Sequence, residues 1–553
     1  MHRMHLNPPN TTDILRHAEQ LGWPITESRA TEIADVAKPV YAALARATAT
    51  LDFDTDAFSL YAAIAETRAG IEPLTPAAGV NAATAQAAHA PHTSLTHAAC
   101  ALREGRVSSV ELTRAALDAA KALQPTLNSF VRIDEEAALA AARNRDDDRA
   151  KGRIMGPLHG VPLAHKDMFY RRGQVSTCGS PIRQGWVAPR TAQVLARLDA
   201  AGAVQIGTLN MTEFAYGPTG QNAHLGDVRN PWNTNHITGG SSSGSAACVA
   251  AGIVYGALGS DTAGSVRLPA AICGLVGMKT TFGLVSRAGA MALSQALDTV
   301  GPLTRTVADN ALLLSVIAGH DPQDPSTSAA PVPDYPQHLG GPVRDLRIGI
   351  PRGYFDRDIE PDVAACMARA VGAFRSMDML IVDIDMPDMD TINAAGFLLT
   401  WGDVIAIHGT WMRENAAQYT PQTRGRIQTT LAATLQGYVQ AQRVRGPLLR
   451  NFCKSVFSRC DALLAPVLPF QVPRLSDVDV SGGAATMRIL NEITRLMRPI
   501  NVLGLPALAV PGGATSNGLP CGFQLIGRPF SETGLYRIAH AYEMQAGFPD
   551  PPA

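Results

Sequence analysis

The chain has 553 residues and a mass of 58.4 kDa. Its 47 basic and 48 acidic side chains give a formal net charge of -1, which argues against a protein that binds nucleic acid by neutralising phosphates. Hydrophobic residues make up 46% of the chain and charged residues 17%, a balance that excludes an intrinsically disordered protein. No run of 18 apolar residues occurs, so no membrane-spanning helix is predicted.

The N-terminal segment has the spacing of amphipathic helices. Two apolar runs, with Pro24 between them, repeat at helical intervals: Ile14, Leu15, Ala18 and Leu21, then Ile33, Val36, Val40 and Leu44. We predict a small all-helical region over residues 1–72, without residue types typical of catalysis. The Ala- and Pro-rich stretch 73–92 predicts a linker, which leaves 93–553 as the main domain.

Cysteine usage and the first residues bear on the compartment. None of the eight cysteines forms a Cys-x-x-Cys pair and most lie in apolar runs, so buried free thiols are predicted. The first nine residues lack the apolar core of a signal peptide. Together these features lead us to expect a cytoplasmic protein.

Helical and strand patterns alternate after the linker. Ser108 and Glu111 form a capping box ahead of a helix, and residues 191–201 predict another helix. Short buried strands are predicted to begin in 160–164 and 204–207. Helices alternating with strands indicate an α/β fold with a largely buried sheet.

Glycine and serine are densest between residues 239 and 270. Glycines allow several backbone N–H groups to converge on one anion, which is either a bound phosphate or a developing oxyanion. A flexible linker is disfavoured because small apolar residues flank the cluster. A phosphate cradle is disfavoured because the Gly-Lys-Ser/Thr ending of a P-loop is missing. A serine nucleophile is the remaining interpretation.

Two nucleophile arrangements fit the cluster. Residues 240–244 match Gly-x-Ser-x-Gly and would make Ser242 the nucleophile, with Asp461 and His540 at a suitable spacing, but this pattern is weak in a Ser/Gly-rich run. Lys166 offers a better base because it follows an apolar, strand-like segment. A lysine there is costly unless it is paired or neutral, and a neutral lysine can accept a serine proton.

These residues together resemble the amidase signature family of Ser-Ser-Lys amide hydrolases, over roughly residues 93–548. The resemblance implies a large mixed, twisted β-sheet flanked by helices on both faces, with the helical N-terminal region as an extension. The matching motifs are Gly160-Val161-Pro162 through Lys166-Asp167, Gly239 to Gly252, Gly259 to Arg267, Asn230-Pro231-Trp232, and Gly518 to Gly527.

The resemblance also implies roles for individual residues. Ser265 would attack the amide carbonyl, and Ser241, which follows a cis peptide bond in the family, would connect Ser265 to the neutral base Lys166. The residues expected to form the oxyanion hole through backbone N–H groups are Thr262, Ala263, Gly264 and Ser265. Those expected to support the loop are Ser242, Asp261 and Arg267. Neither a cofactor nor a metal is expected.

The implied activity is hydrolysis of a carboxamide-type C–N bond, for example in an aryl amide or a carbamate, through a serine acyl-enzyme that releases amine or ammonia. One alternative is the A subunit of a glutamine-hydrolysing amidotransferase, which passes ammonia to a partner bound to tRNA. A second is a hydrolase of ureides or biuret, and a third is a binding module without activity. The expected partner is a small-molecule amide, with no nucleic acid or membrane, and the expected assembly is a homodimer.

Some positions depart from the family's commonest pattern or stay open. Ser243 and Ala263 stand where glycine is frequent, and His165, where an apolar residue is usual, is predicted to pack rather than react. The N-terminal helices resemble small partner subunits of some family members, or serve as a stabilising or dimerising cap. Residues of 395–450 that either line a pocket or belong to the core are Trp401, Trp411, Met412, Tyr419 and Tyr438.

Overall fold

The computed structural model describes residues 6–49, 51, 55–68 and 94–549. In these ranges the helices are Thr11–Leu21 (α1), Glu27–Thr48 (α2), Ser59–Arg68 (α3), Leu95–Arg103 (α4), Ser109–Leu127 (α5), Glu135–Ala150 (α6), Gln193–Ala200 (α7), Ser243–Ala250 (α8), Arg267–Ile272 (α9), Val307–Ile317 (α10), Pro361–Ser376 (α11), Met389–Asn415 (α12), Pro421–Thr429 (α13), Leu435–Ser455 (α14), Ala484–Thr494 (α15), Arg498–Val502 (α16) and Glu532–Ala546 (α17). The strands are Phe130–Ile133 (β1), Pro162–Lys166 (β2), Val204–Leu209 (β3), Gly256–Asp261 (β4), Val276–Lys279 (β5), Thr299–Thr304 (β6), Arg347–Arg352 (β7), Leu380–Asp385 (β8), Ala462–Pro466 (β9), Ala507–Ala514 (β10) and Pro520–Ile526 (β11).

One mixed sheet contains all of these strands, in the order β1-β3-β2-β4-β6-β5-β10-β11-β9-β7-β8. Strand β2 lies between β3 and β4 and runs parallel to both, with His165 opposite Leu258. The carboxyl ends of parallel neighbours meet at the same edge of a sheet, which is where open α/β sheets bind ligands. That edge carries Lys166 and Asp261, the last residues of β2 and β4.

Successive residues of the central strands alternate between two hydrophobic cores. Leu163, Leu258 and Leu508 belong to the core that includes α10. Their neighbours Ala164, Ala257 and Ala509 belong to the core that includes α5 and α8. Because side chains of a strand point to opposite faces in turn, both faces of the sheet must be covered by helices. The predicted α/β fold with helices on both faces is thereby confirmed.

Most of the elements predicted from the sequence begin and end within a few residues of the observed bounds. The capping box at the start of α5 is present, with Glu111 N–H donating to Ser108 Oγ at 3.1 Å and Ser108 N–H donating to the Glu111 carboxylate at 2.7 Å. Strand β2 begins two residues later than predicted and ends on Lys166 instead of stopping before it. The backbone of Lys166 is therefore held in the sheet by its pairing with Leu209 of β3.

The cysteines and the helices can be compared with two further predictions from the sequence. All eight cysteines are free, and seven of them are buried, as predicted for internal thiols. No helix within the described ranges combines the length and the apolar character needed to cross a bilayer.

The predicted N-terminal helices are present and pack against α12, α13 and α14. Trp23 Nε1 donates to Gly409 O at 3.1 Å, and the Tyr41 hydroxyl donates to Ala432 O at 2.8 Å. Helix α2 continues through Pro39 without interruption. The linker predicted at 73–92 lies outside the described residues, so the domain boundaries stay a prediction.

Replacing Tyr41 by Phe tests how firmly these helices are held. The buried hydroxyl also accepts from Thr434 N–H at 3.0 Å, so its loss leaves a carbonyl and an N–H without a partner. We expect the free energy of unfolding, measured in urea, to fall by roughly 1–3 kcal/mol. Tyr61→Phe, at a position that is 45% exposed, is the control. An equal loss in both variants would contradict the assignment.

Candidate active site

A buried lysine surrounded by hydroxyl groups forms the centre of the site. Lys166 is 1% exposed, and its Nζ lies 2.7 Å from Ser241 Oγ, 2.9 Å from Ser260 Oγ and 3.1 Å from Ser242 Oγ. None of the ion pairs found in the described ranges includes Lys166. Burial lowers the pKa of Lys166 to about 7, although Asp298 and Asp261 oppose this shift. A neutral amine is therefore accessible near neutral pH, as a general base requires.

Ser260 is a member of this cluster that the sequence analysis missed. It precedes Asp261 on β4, and the parallel pairing of β2 with β4 brings it beside the end of β2. The signal was present in the serine of the Gly259-Ser260-Asp261 motif, but strand pairing is needed to direct its side chain toward Lys166. Ser242, predicted only as loop support, contacts the lysine directly.

Ser241 lies at the turn that leads into α8. The peptide bond between Gly240 and Ser241 is cis, as the family resemblance implied. A Cβ on Gly240 would lie 2.8 Å from both Gly217 O and Thr212 Oγ1, so only glycine fits before this serine. The Ser241 side chain is fully buried, with its hydroxyl against Lys166.

The loop between β4 and α9 is organised by a buried ion pair. Asp261 accepts from Arg267 Nη2 at 3.1 Å and from Asn501 Nδ2 at 2.9 Å. Burial opposes ionisation of Asp261, but the Arg267 guanidinium outweighs it and holds the pKa of this carboxyl below its usual range. Arg267 also donates to Gln524 Oε1 at 2.8 Å, which ties the loop to β11. Both residues thus bind the loop that follows β4, and the supporting role expected of them stays a prediction.

Gly264 requires a correction to the predicted oxyanion hole. Its N–H donates to Asp261 Oδ1 at 2.8 Å, so this group is already bound and is not free for a substrate oxygen. Its φ of +121° restricts the position to glycine, and a Cβ there would also collide with Met497 Sδ. The backbone N–H groups of Thr262, Ala263 and Ser265 stay as candidates.

A second buried carboxyl braces the same loop and was not found from the sequence. Asp298 accepts from Thr262 Oγ1 at 2.5 Å and from Leu293 N–H at 2.8 Å. Burial raises the pKa of Asp298 to about 6, and the Thr262 hydrogen bond opposes the shift. Asp298 lies 33 residues beyond Ser265 in the chain, so no local motif connects the two. The antiparallel pairing of β6 with β4 is what brings Asp298 to this loop.

A cavity adjoins the loop and opens to solvent, with about 690 Å³ of empty space when its mouth is included. Of the four serines discussed, Ser265 alone lines it, while Ser241, Ser242 and Ser260 lie behind it with Lys166. Residues from five helices and three loops complete the wall: Val36, Ala215, Tyr216, Gly217, Pro218, Thr262, Ala263, Leu293, Phe397, Thr400, Trp401, Arg426, Thr429, Met487, Asn491 and Arg498. An electrophile in this cavity thus faces Ser265 first.

The five residues of 395–450 predicted as either pocket or core divide between the two. Trp401 lines the cavity, whereas Met412 and Tyr419 are buried in the core. Trp411 stacks on Phe214 with ring centroids 5.4 Å apart, and the Tyr438 hydroxyl donates to Asp403 at 2.8 Å. Only one stripe of α12 faces the cavity, so neighbours in sequence point elsewhere.

The competing arrangement around Ser242 lacks its partners. Ser242 is fully buried, and the Asp461 carboxylate is bound to Arg347, with 2.9 Å between Oδ1 and Nη2. His540 faces Glu543 at 3.7 Å instead. His165 is buried in the sheet, where its Nδ1 accepts from Leu258 N–H at 3.3 Å. Burial lowers the pKa of His165 to about 3.

Comparison with known proteins agrees with this geometry. The family model described as Amidase matches residues 111–536. The A subunit of glutamyl-tRNA(Gln) amidotransferase from Chloroflexus aurantiacus is 41% identical over 82% of this chain and 96% of its own length. The solved structure of the corresponding protein from Thermotoga maritima is 30% identical, with a TM-score of 0.67 over 80% of this chain and 94% of its own.

A solved chain described in connection with the evolutionary origins of an s-triazine catabolic enzyme is 32% identical. It has a TM-score of 0.77 over 83% of this chain and all of its own length. The family match covers most of the chain, and it includes the lysine, both serine motifs and the ion-paired loop. The chain therefore belongs to the amidase signature family of enzymes that hydrolyse C–N bonds.

Proposed function

We propose that this protein hydrolyses a carboxamide-type C–N bond through a serine acyl-enzyme. The Ser265 oxygen attacks the carbonyl carbon, its proton passes to Ser241, and the proton of Ser241 passes to neutral Lys166. When the C–N bond breaks, the proton returns along the same route to the departing nitrogen, which leaves as amine or ammonia. Water then attacks the acyl-enzyme and restores Ser265.

The observation that carries this proposal is the burial of Lys166 against hydroxyl groups, with no carboxylate of the described residues in contact with its Nζ. Three hydroxyl groups surround Nζ, while the nearest carboxylates, Asp261 and Asp298, are bound to other donors. A lysine kept as an ammonium ion by a contacting carboxylate could not act as a base. Thr262, Ala263 and Ser265 supply the N–H groups expected to stabilise the negative oxygen of the tetrahedral intermediate.

Sequence relatives support a second candidate, a component of a larger enzyme that hydrolyses glutamine and delivers the ammonia to a partner. Relatives named as the A subunit of glutamyl-tRNA(Gln) amidotransferase are 36–41% identical and cover 80–82% of this chain. The ureide or biuret alternative, the homodimer and the cytoplasmic location stay predictions from the sequence.

Ser265→Ala is expected to abolish amide hydrolysis, with a loss of roughly 10⁴-fold or more in kcat, since the nucleophile is removed. A fluorophosphonate probe should label Ser265 in the wild-type protein, identified by mass spectrometry of the labelled peptide. Ser243→Ala is the control, because Ser243 is buried beside the cluster but is not bound to Lys166. Labelling at Ser242 instead would support the Gly-x-Ser-x-Gly arrangement.

The pH profile tests the base. Because the active form of Lys166 is neutral, kcat/KM is expected to rise about tenfold per pH unit below pH 7 and to level off above it. A limb centred near pH 6 would point instead to the raised pKa of Asp298. Burial also lowers the pKa of Lys279 to about 7, but its Nζ donates to the carbonyls of Thr280 and Leu505 and has no nucleophile beside it.

The two candidate functions differ in how they depend on a partner. A stand-alone amidase releases ammonia or amine from simple amides as a purified protein. A component of a transamidation complex would hydrolyse L-glutamine, with turnover raised by the other components and by glutamyl-tRNA(Gln). The measurement is ammonia release from L-glutamine with and without those additions, using Ser265→Ala as the blank.

A further inference from the structure

A buried carboxylate joins two loops that line the cavity containing Ser265. Asp298 precedes β6 and is 6% exposed. One of its oxygens accepts from the Thr262 hydroxyl at 2.5 Å, and the other accepts from the N–H groups of Leu293 and Ser294 at 2.8 and 3.1 Å. Thr262 and Leu293 both line the cavity, so Asp298 connects one part of its wall to another.

The donors around Asp298 match a carboxylate that has been removed from water. Hydrogen bonds to the charged form of a carboxyl group offset part of the cost of burying it. Burial raises the pKa of Asp298 to about 6, while the Thr262 hydrogen bond and the charge of Arg287 oppose this shift. Asp298 is therefore largely ionised at pH 7, where Lys166 loses its proton.

Asp403 also binds the loop between β5 and β6, but it connects that loop to helices instead. Asp403 lies on α12 and accepts from Ser294 Oγ at 2.5 Å and from Ala296 N–H at 3.0 Å. Its other oxygen accepts from the Tyr438 hydroxyl of α14 at 2.8 Å. Asp298 differs from Asp403 because it reaches the loop between β4 and α9, which carries the proposed nucleophile.

The charge of Asp298 acts on the proposed base without an ion pair between them. The charged groups packed around Asp298 are Lys166, Asp261, Arg287 and Asp403. Arg287 favours the ionised form of Asp298. Asp298 in turn favours the ammonium form of Lys166, and it does so more strongly than Asp261. The carboxylate thus limits how far burial alone can lower the pKa of the lysine.

We propose that Asp298 is a positioning residue, which holds Thr262 so that its N–H stays in place for the carbonyl oxygen of the substrate. Its negative charge also sets the pH range in which Lys166 acts as a base. The inference rests on the proposed function, because it takes Lys166 as the base and Thr262 as a donor to the oxyanion. Asp298 acts through these two residues and touches no reacting atom.

Asp298→Asn keeps the size of the side chain and removes its charge. We expect kcat for a simple amide to fall roughly tenfold to hundredfold, because Thr262 is held less firmly and one donor to the oxyanion is displaced. KM should change little, since Asp298 does not touch the substrate. The measurement is steady-state release of ammonia at pH 8.5, about 1.5 units above the pKa of Lys166. A wild-type kcat in this variant would overturn the positioning role.

The pH profile supplies a readout that a purely structural role would not move. Because Asp298 favours the ammonium form of Lys166, removing its charge lowers the pKa of the lysine. We expect the acid limb of kcat/KM to move to lower pH in Asp298→Asn, by about half a unit to one unit. A limb that stays at the wild-type position would overturn the effect of the charge.

A double-mutant cycle tests whether Asp298 acts through Thr262. Thr262→Val removes the hydroxyl group and keeps the backbone N–H, so it breaks the same hydrogen bond from the other side. We expect kcat of the double variant Asp298→Asn/Thr262→Val to be no lower than that of the weaker single variant, within about twofold. Losses that multiply in the double variant would contradict this link.

Asp309→Asn is the matched control for the loss of a buried carboxylate. Asp309 is fully buried on α10 and accepts from Ser94 Oγ at 2.9 Å and from Leu95 N–H at 3.0 Å, outside the cavity lining. This variant should lose stability in urea, as Asp298→Asn does, but keep the wild-type kcat and acid limb. An equal fall of kcat in both folded variants would reduce Asp298 to a structural role.

Ser265→Ala separates this inference from the proposed function. If Ser265→Ala is inactive while Asp298→Asn has the wild-type kcat and pH profile, the positioning role fails and the serine mechanism stands. If Ser265→Ala hydrolyses the amide at the wild-type rate, the proposed function itself fails. Circular dichroism checks that every variant is folded before its activity is compared.

A different observation concerns the exposed part of the loop that carries Ser265. Within residues 261–267, Ala263 and Ser265 are partly exposed and line the cavity, whereas the other five are buried. Gly264 between them is packed against Met497. The N–H of Ala263 is expected to face the carbonyl oxygen, and its methyl carbon lies two bonds from that nitrogen. The methyl group therefore adjoins the space around the carbonyl carbon.

We infer that Ala263 is a specificity-determining residue of the proposed amidase, which favours acyl groups without a branch next to the carbonyl. Ala263→Gly should raise the ratio of kcat/KM for 2-methylpropanamide over butanamide by about threefold to tenfold. Ala417→Gly, at an exposed position outside the cavity lining, is the control and should leave the ratio unchanged. A shift in Ala263→Gly no larger than that in the control would overturn this role, whatever the outcome for Ser265→Ala.

Discussion

A single constraint organises the site: an amine must stay uncharged, or nearly so, deep inside a protein. Lys166 satisfies it because β2 carries the lysine into the sheet, where three hydroxyl groups provide hydrogen bonds without negative charge. A contacting carboxylate would stabilise the ammonium form and remove the base. The three serines around Nζ therefore hydrogen-bond the buried amine, and Ser241 is the one that we propose as the path for its proton.

The two carboxyl groups near Lys166, those of Asp261 and Asp298, are hydrogen-bonded to other residues. Asp261 is bound to Arg267 and to the loop that follows β4, while Asp298 is bound to Thr262 and to the backbone at Leu293. These carboxyls hold the loop between β4 and α9 in shape, and their hydrogen bonds stop them from pairing with Lys166. The same arrangement occupies the N–H of Gly264, so the oxyanion hole that we propose is limited to the N–H groups of Thr262, Ala263 and Ser265.

The wall of the cavity opposite Ser265 comes from other elements of the fold. The wall that contains Ser265 is the loop between β4 and α9, whereas the opposite wall includes residues of α12, α13 and α16 and of α2 in the N-terminal region. The lysine–serine cluster and the opposite wall of the cavity thus come from separate parts of the chain. A substitution in those helices would therefore alter the wall of the cavity without touching the lysine and its hydroxyls.

Local patterns in the sequence predict the α/β class, the lysine, both serine motifs and the helical N-terminal region. Each of these signals, whether strand alternation, a capping residue or a Gly/Ser motif, is contained in a few neighbouring residues. Local patterns do not predict the positions of Ser260, Asp298 and the two arginines that line the cavity. Ser260 reaches Lys166 only through the pairing of β2 with β4, and Arg426 and Arg498 meet across 72 residues through the packing of α13 and α16. Contacts of this kind depend on where whole elements dock, which no short stretch of sequence specifies.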